Sequence, residues 1–420
     1  MLKFNSKKYL FLILLGCILY NCQQHDSLNW LKRKKNTRTS LGPQSDMNSN
    51  SNNISESKLK NFLVVLHGHR MNNQNTPAKD IGDNVNLILE ENAKIPFTIF
   101  KPTCRQNEVS DKLSILDQSR LVVNELQAAL KAYLRKEFPK WSEIEIAEGV
   151  KKVPVYLLGN SQGGLVALMI GYNQTKKSTH PKVKINLKRI IACSTPTQGL
   201  ELLSNAYRDA QRFVRTINNI LPQAYNLVGS SKKQVTRMPI VLGLARCLPA
   251  WLTSKTTLGP GLLDMHPRSK TIQQVVSFIN DPKHGIPICL IGGKTDKISK
   301  YISKNNGIKN DIDPGAISQE SKNLFDENYA QVVTGKKDGK HDGIISLDSQ
   351  LCDKTNIEFH ETTKGDVINK DNKVTRILLS GDYIHCYNFT LNDKLGFNEK
   401  SDTTVVESKR AAKYIAADIH

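Results

Sequence analysis

Residues 153–170 read VPVYLLGNSQGGLVALMI, and this stretch decides the fold. An apolar run ends at Leu158, the pattern G-x-S-x-G places Ser161 at its centre, and a second apolar run begins at Leu165. A buried strand that turns sharply into a helix around a serine is a nucleophile elbow, whose glycines let strand and helix approach closely. The bare motif is common, so the strand before it and the helix after it carry the prediction. We therefore expect Ser161 to be a nucleophile.

Other apolar runs alternate with helical patterns along the rest of the chain. Strands are predicted at residues 62–66, 97–100, 189–193, 285–291 and 373–379, and helices at 114–138 and 402–417. The core candidates of the first helix are Leu116, Leu121, Leu126, Leu130 and Leu134. Strands that alternate with helices predict an α/β fold, with a mostly parallel sheet covered by helices on both faces.

The first 57 residues lie ahead of this predicted body, which spans residues 58–420. Residues 1–22 combine Lys3, Lys7 and Lys8 with a short apolar run, as an export segment does. The end of the segment resembles a bacterial lipoprotein signal, with Cys22 as the lipidated residue and Cys17 as the alternative. The expected location is therefore a bacterial envelope, as a membrane-anchored lipoprotein or, alternatively, a secreted protein.

Residues 23–57 are basic and then rich in Asn and Ser, which predicts a flexible linker. The formal net charge of the 420-residue chain is +20. A large positive charge attracts acidic surfaces such as anionic lipid. The sequence has no nucleic-acid-binding motif and its charge is scattered, so we expect a membrane surface and no nucleic acid as partner.

A long insertion separates two of the predicted strands, at about residues 200–284. It contains the apolar segment MPIVLGLARCLPAWL at residues 238–252. Large insertions in compact domains are often functional. We expect a cap or lid that covers an acyl-binding cleft; a cap core without substrate contact is the alternative.

A serine hydroxyl needs a base, an acid that orients the base, and donors for the developing oxyanion. His385 follows the last predicted strand and is the expected base. Asp296 and Asp342 both lie on loops between the predicted strands 285–291 and 373–379, and position alone leaves both open as the acid. The backbone N–H groups of His69 and Gln162 are the natural oxyanion donors.

Four motifs together resemble lipases of the α/β-hydrolase superfamily. They are Leu66-His67-Gly68, Gly159-Asn160-Ser161-Gln162-Gly163-Gly164, Ser194-Thr195-Pro196-Thr197-Gln198-Gly199 and His341-Asp342-Gly343-Ile344-Ile345-Ser346. True bacterial lipases look closest, and palmitoyl-protein thioesterases and lecithin–cholesterol acyltransferases are similar at the same points. The resemblance implies Ser161 as nucleophile, His385 as base and, between the two carboxylates, Asp342 as acid.

The resemblance implies a serine hydrolase that cleaves carboxylic esters of lipids. Some members of the superfamily bind Ca²⁺ or Zn²⁺ near the acid loop, but this sequence shows no ligands for them, so we expect neither a metal nor a cofactor. A palmitoyl-protein-type thioesterase or an acyltransferase is the alternative within enzymes. A catalytically silent surface binding protein is the alternative outside them.

Overall fold

The computed structural model describes residues 59–69, 85, 88, 97–176, 184–205, 259–281, 283–295, 297, 319–352, 360–361, 365–371, 373–385 and 404–419. The predicted export segment with Cys17 and Cys22, the linker and the apolar segment 238–252 lie outside these residues. Asp296 lies outside them as well.

Eight described strands form one sheet, in the order β2-β1-β3-β4-β5-β8-β7-β6. The strands are β1 (Asn61–Leu66), β2 (Phe97–Phe100), β3 (Pro154–Asn160), β4 (Asn186–Cys193), β5 (Ile288–Gly292), β6 (His360–Glu361), β7 (Val367–Asp371) and β8 (Val374–Leu378). The first six strands in this order run parallel, whereas β7 and β6 pair antiparallel at one edge. Every strand predicted from an apolar run is present, with ends that differ by a few residues.

Helices cover both faces of the sheet. They are α1 (Val109–Lys112), α2 (Ile115–Glu137), α3 (Glu143–Val150), α4 (Gln162–Thr175), α5 (Pro260–Leu263), α6 (Lys270–Ile279), α7 (Gln319–Thr334), α8 (Leu347–Leu351) and α9 (Lys409–Ile419). The core divides into two clusters, one under α2, α4 and α6 and the other under α9. Along β1, Val64 belongs to the first cluster and Leu63 to the second, as expected for a strand that is buried on both faces.

Helix α2 shows where the predicted core was right and where it was wrong. Ser114 caps the helix by accepting a hydrogen bond from the Asp117 N–H. Leu126 is fully buried, as predicted, but Leu121 is 38% exposed. Five residues separate the two leucines, which at 3.6 residues per turn places them on different faces. Val122 takes the buried position that was assigned to Leu121.

Helix α6, which belongs to the part of the long insertion that the structure describes, packs against helix α4. In α6, the Phe278 ring lies against Gly171 of α4, where an added Cβ would meet it at 2.7 Å. The closing helix α9 begins at Lys409, later than the predicted residue 402, and a short 3-10 turn at Val405–Glu407 precedes it. In the described ranges, no helix combines the length and apolar character needed to cross a membrane.

The central strand and the helix that follows it fix the fold. Strand β3 lies between β1 and β4, and the chain turns at Ser161 directly into α4. Parallel strands covered on both faces, with a serine elbow at the centre of the sheet, form the α/β-hydrolase fold. The predicted fold class is confirmed.

Candidate active site

Ser161 makes the turn between β3 and α4 by itself. The strand ends at Asn160, the helix begins at Gln162, and Ser161 has φ 53° and ψ −124°. A positive φ at a non-glycine residue costs of order 1–3 kcal/mol and persists only where neighbouring contacts hold it. Here the Ser161 N–H donates to the Cys193 carbonyl at 3.0 Å, and the Ser161 carbonyl accepts from the Gly164 N–H at 3.0 Å. The backbone therefore fixes the serine in a strained, half-buried position.

Three glycines around the serine allow this close approach. A Cβ at Gly159 would lie 2.4 Å from the Gly163 carbonyl oxygen, and one at Gly163 would lie 2.2 Å from the Leu66 carbonyl oxygen. A Cβ at Gly164 would lie 1.8 Å from the Thr195 hydroxyl. Real Cβ atoms essentially never lie this close to another atom. Side chains at these positions would push β1, β3 and α4 apart.

His385 lies between Ser161 and Asp342. Its Nε2 is 2.9 Å from the Ser161 Oγ, and its Nδ1 is 2.8 Å from the Asp342 Oδ2. Asp342 is fully buried and His385 is 7% exposed. The His385 backbone N–H also donates to the Asp342 carbonyl at 2.7 Å, which ties the two loops together. The structure thus brings together the three side chains that the sequence singled out.

Hydrogen bonds to Asp342 determine which ring nitrogen of His385 carries a proton. Its Oδ1 accepts from the backbone N–H groups of Ile344 at 3.1 Å and Ile345 at 2.8 Å, so Oδ2 faces His385. A carboxylate only accepts, so the His385 Nδ1 carries the proton and donates. The neutral imidazole then has an unprotonated Nε2, which accepts the hydroxyl proton of Ser161.

Two side chains from outside the acid loop, Tyr329 and Gln350, hold it in place. The Tyr329 hydroxyl donates to the Gly343 carbonyl at 2.9 Å. The Gln350 amide donates to the Ile345 carbonyl at 3.1 Å and accepts from the Gly293 N–H at 3.0 Å, which links the loop to the end of β5. Asp342 therefore occupies a fixed position beyond the carboxyl ends of the strands.

The residues of the predicted oxyanion donors lie on two segments, the start of α4 and the loop after β1. Gln162 is the first residue of α4, and the first N–H groups of a helix have no partner inside it. His69 follows β1 on the neighbouring loop, and its Nδ1 lies 3.3 Å from the Gln162 side-chain Nε2. The two residues whose backbone N–H groups were predicted to act together are therefore neighbours.

Sequence reasoning missed a buried polar cluster beneath this loop. Arg105 is fully buried and donates to the His67 carbonyl and to the side-chain oxygens of Gln118 and Gln162, the last two at 3.0 Å. His67 is buried beside it and contacts the Gly68 carbonyl through Nδ1 at 2.8 Å. Burial and the Arg105 charge lower the pKa of the His67 imidazole to about 3. No motif marks Arg105, since its role depends on contacts between distant parts of the chain.

Other predicted or possible sites have less structural support. Asp296, the alternative acid, lies outside the described residues, although Thr295 beside it donates to the His341 carbonyl through its backbone N–H at 2.7 Å. Within the described ranges, no group of three or more His, Cys, Asp or Glu side chains is placed to hold a metal ion. Cys193 and Cys289 are buried free thiols, and burial raises the pKa of the Cys193 thiol to about 12.

Comparison with known proteins finds only distant similarities to solved structures. No protein-family model matches the sequence, and no curated protein matches it. Solved structures that resemble the chain include lipase 1 from Pelosinus fermentans, with 12% identity over 85% of this chain and 98% of that one, at a TM-score of 0.40. EstA from Clostridium botulinum is 12% identical over 88% of both chains, at a TM-score of 0.37.

Phospholipase PlaB from Legionella pneumophila is also similar, with 10% identity over 85% of this chain and a TM-score of 0.37. The match covers 59% of the length of PlaB. Similarities this low carry no argument about the reaction, which has to be inferred from the site itself.

Proposed function

We propose that this protein is a serine hydrolase that cleaves carboxylic esters. The observation that carries the proposal is the continuous line of hydrogen bonds from Asp342 through His385 to Ser161, with the serine at a strained elbow. A nucleophile, a base within reach of it and a group that orients the base are the requirements for serine-based acyl transfer.

In the proposed reaction, the Ser161 Oγ attacks the ester carbonyl and its proton passes to the His385 Nε2. Asp342 keeps Nδ1 protonated and stabilises the imidazolium that forms. The tetrahedral intermediate collapses as the imidazolium gives its proton to the leaving alcohol. Water then attacks the acyl-enzyme, with His385 as base again, and releases the acid and free Ser161.

The backbone N–H groups of Gln162 and His69 are the proposed oxyanion donors. Two observations support this assignment. Helix α4 begins at Gln162, and the Gln162 and His69 side chains contact each other. Donors fixed before the reaction stabilise the charge that develops in the transition state without reorganisation, which is a large part of such catalysis.

Esters of lipids are the proposed substrates. The apolar segment at residues 238–252 supports an acyl-binding cap, and the export segment with Cys22 supports a lipid-anchored protein at an envelope membrane. Lipidation at Cys22 predicts that the mature chain begins at this residue, which intact-mass measurement tests. A mature chain that keeps residues 1–21 or begins elsewhere would contradict it.

The test is hydrolysis of p-nitrophenyl esters of short and long acyl chains by the full chain, beside the corresponding acyl thioesters. We expect activity that rises with acyl length and that Ser161→Ala abolishes. Ser119→Ala is the matched control, because this buried serine donates to the Leu116 carbonyl in α2, away from the elbow, and should keep full activity.

The outcomes separate the possible functions. Faster cleavage of thioesters than of esters would make the protein a thioesterase. No hydrolysis by a folded chain in the presence of membrane vesicles would contradict the enzyme and favour a surface binding protein.

A further inference from the structure

Arg105 carries a charge in the interior of the fold. Its side chain is fully buried, and no carboxylate in the described part of the chain forms an ion pair with it. Burial lowers the pKa of the guanidinium to about 10, so the group still carries its charge at neutral pH. An unpaired buried charge strongly destabilises a fold unless hydrogen bonds satisfy it.

Each of the three guanidinium nitrogens donates a hydrogen bond, and all three bonds end on neutral oxygens. The Arg105 Nε donates to the Gln118 Oε1 at 3.0 Å, Nη2 donates to the Gln162 Oε1 at 3.0 Å, and Nη1 donates to the His67 carbonyl. Gln118 lies in α2, Gln162 begins α4, and His67 follows β1. One side chain therefore joins three separate segments.

Two of these segments carry the proposed oxyanion donors. His67 is two residues before His69, and Gln162 is itself the second donor residue. A guanidinium is a flat, rigid fork whose N–H groups point in fixed directions. Because the fork holds the His67 carbonyl and the Gln162 side chain at once, it fixes the distance between the loop after β1 and the start of α4.

We propose that Arg105 is a positioning residue for the oxyanion hole, which it sets by holding His67 and Gln162 in a fixed relation. This role rests on the proposed function, and it acts through the two donor residues rather than through contact with the substrate.

The turn that carries Arg105 is itself firmly held. The Glu125 carboxylate of α2 accepts from the backbone N–H groups of Thr103, at 2.8 and 3.1 Å, and Cys104, at 2.9 Å. Gln118 fixes the direction of the guanidinium through Nε. A positioning group must be more rigid than what it positions, and these bonds to α2 supply that rigidity.

The Gln162 side chain extends the same network. Its Nε2 lies 3.0 Å from the Ser110 carbonyl and 3.1 Å from the Gly261 carbonyl, and it is also close to His69 Nδ1. The amide therefore has partners on both its oxygen and its nitrogen, so the Arg105 bond has little freedom to shift. Removal of the guanidinium leaves the Gln162 oxygen buried without its donor.

The test compares Arg105→Met, which keeps much of the length of the side chain but no donor, with Arg105→Lys, which keeps the charge but not the fork. Arg189→Met is the matched control, because Arg189 lies in β4 and bonds Asp418 in α9, at 2.7 Å. Folded fractions are measured by circular dichroism, and kcat and KM for a p-nitrophenyl ester are expressed per folded molecule.

We expect Arg105→Met to lower kcat about 10- to 100-fold with KM little changed, because the oxyanion exists only in the transition state. Arg105→Lys should lie between this variant and the wild type. The rate constant for labelling by a fluorophosphonate should fall in parallel, since this reaction also develops charge on oxygen. Arg189→Met should lose stability but keep its kcat.

A double-mutant cycle asks whether Arg105 acts through Gln162. If it does, Gln162→Met combined with Arg105→Lys lowers kcat by less than the product of the two single effects. Fully multiplicative effects would overturn the proposed connection. This cycle and Arg105→Lys also decide the matter if Arg105→Met does not fold.

Failure of this role is distinguishable from failure of the function. An active wild type whose Arg105 variants keep kcat within about twofold per folded molecule, or change only KM, would overturn the role of Arg105 alone. A wild type without esterase activity and without labelling would overturn the proposed function, and this role with it.

Discussion

Gly163→Ala is the substitution that tests most sharply how the elbow and the oxyanion loop depend on each other. The new Cβ would lie 2.2 Å from the Leu66 carbonyl oxygen and 2.6 Å from the His67 carbonyl oxygen. Ordinary contacts begin at 3.4 Å, so the shortfall is about 1 Å. Both neighbours are backbone atoms and cannot rotate away, so the loop after β1 or the start of α4 must move.

The size of this movement sets the expected effects. Overpacking that shifts backbone costs typically 1–3 kcal/mol, which outweighs the gain of at most about 1 kcal/mol from replacing glycine in a helix. A displacement of about 1 Å in a catalytic group can lower the rate about 100-fold. We therefore expect Gly163→Ala to be less stable to urea and to lose most of its kcat per folded molecule.

Gly171→Ala is the matched control in the same helix. Its Cβ would meet the Ile190 Cδ1 at 2.5 Å and the Phe278 Cζ at 2.7 Å, which are the ends of side chains in β4 and α6, about two turns along α4 from Gly163. It should lose stability but keep its kcat. If Gly163→Ala kept both its stability and its kcat, or if both variants lost kcat equally, the reasoning would be refuted.

Three further predictions concern the acid, a buried histidine and a helix cap. Asp342→Asn should lower kcat by about 10³- to 10⁴-fold, because the amide favours the wrong tautomer of His385. Asp296→Asn should keep a kcat near that of the wild type. If steady-state kinetics show the larger loss for Asp296→Asn, Asp296 is the acid. His67 is neutral in the folded protein down to pH about 3, whereas in the unfolded chain it binds a proton below about 6.5. The protein should therefore lose up to about 1.4 kcal/mol of stability per pH unit as the pH falls through this range, and urea unfolding of His67→Gln should show a shallower loss; equal slopes would exclude this cause. Ser142→Ala removes one half of the capping box of α3 and should lower the unfolding free energy by about 1 kcal/mol with no change in kcat; a change in kcat would show that α3 contributes to the site.

The sequence predicted secondary structure best where consecutive residues of a strand are all buried. Runs such as residues 61–66 and 288–292 are apolar because both faces of a central strand are covered, and such runs predicted the parallel strands. The antiparallel strand β7, which is next to the edge of the sheet, escaped prediction because three of the five residues of its sequence, VINKD, are polar. Helix α6 was missed because it falls inside the predicted insertion, although Ser269 caps its start.

The residues of the candidate site also differ in how well the sequence could predict them. Ser161 could be found from its motif, because it directly follows a strand, and His385 could be found because it lies on the loop after the last strand. Asp342 and Asp296 could not be separated by position, and only the resemblance favoured Asp342. Arg105 could not be found at all, because its three partners lie 13, 38 and 57 residues away along the chain. Only the folded chain brings those acceptors to one guanidinium.

The most direct test of the central claim is fluorophosphonate labelling of the full chain, with the modified residue located by peptide mass spectrometry. We expect one label per folded molecule, on Ser161, and none in Ser161→Ala. A label on another residue, or ester hydrolysis that survives in Ser161→Ala, would contradict it.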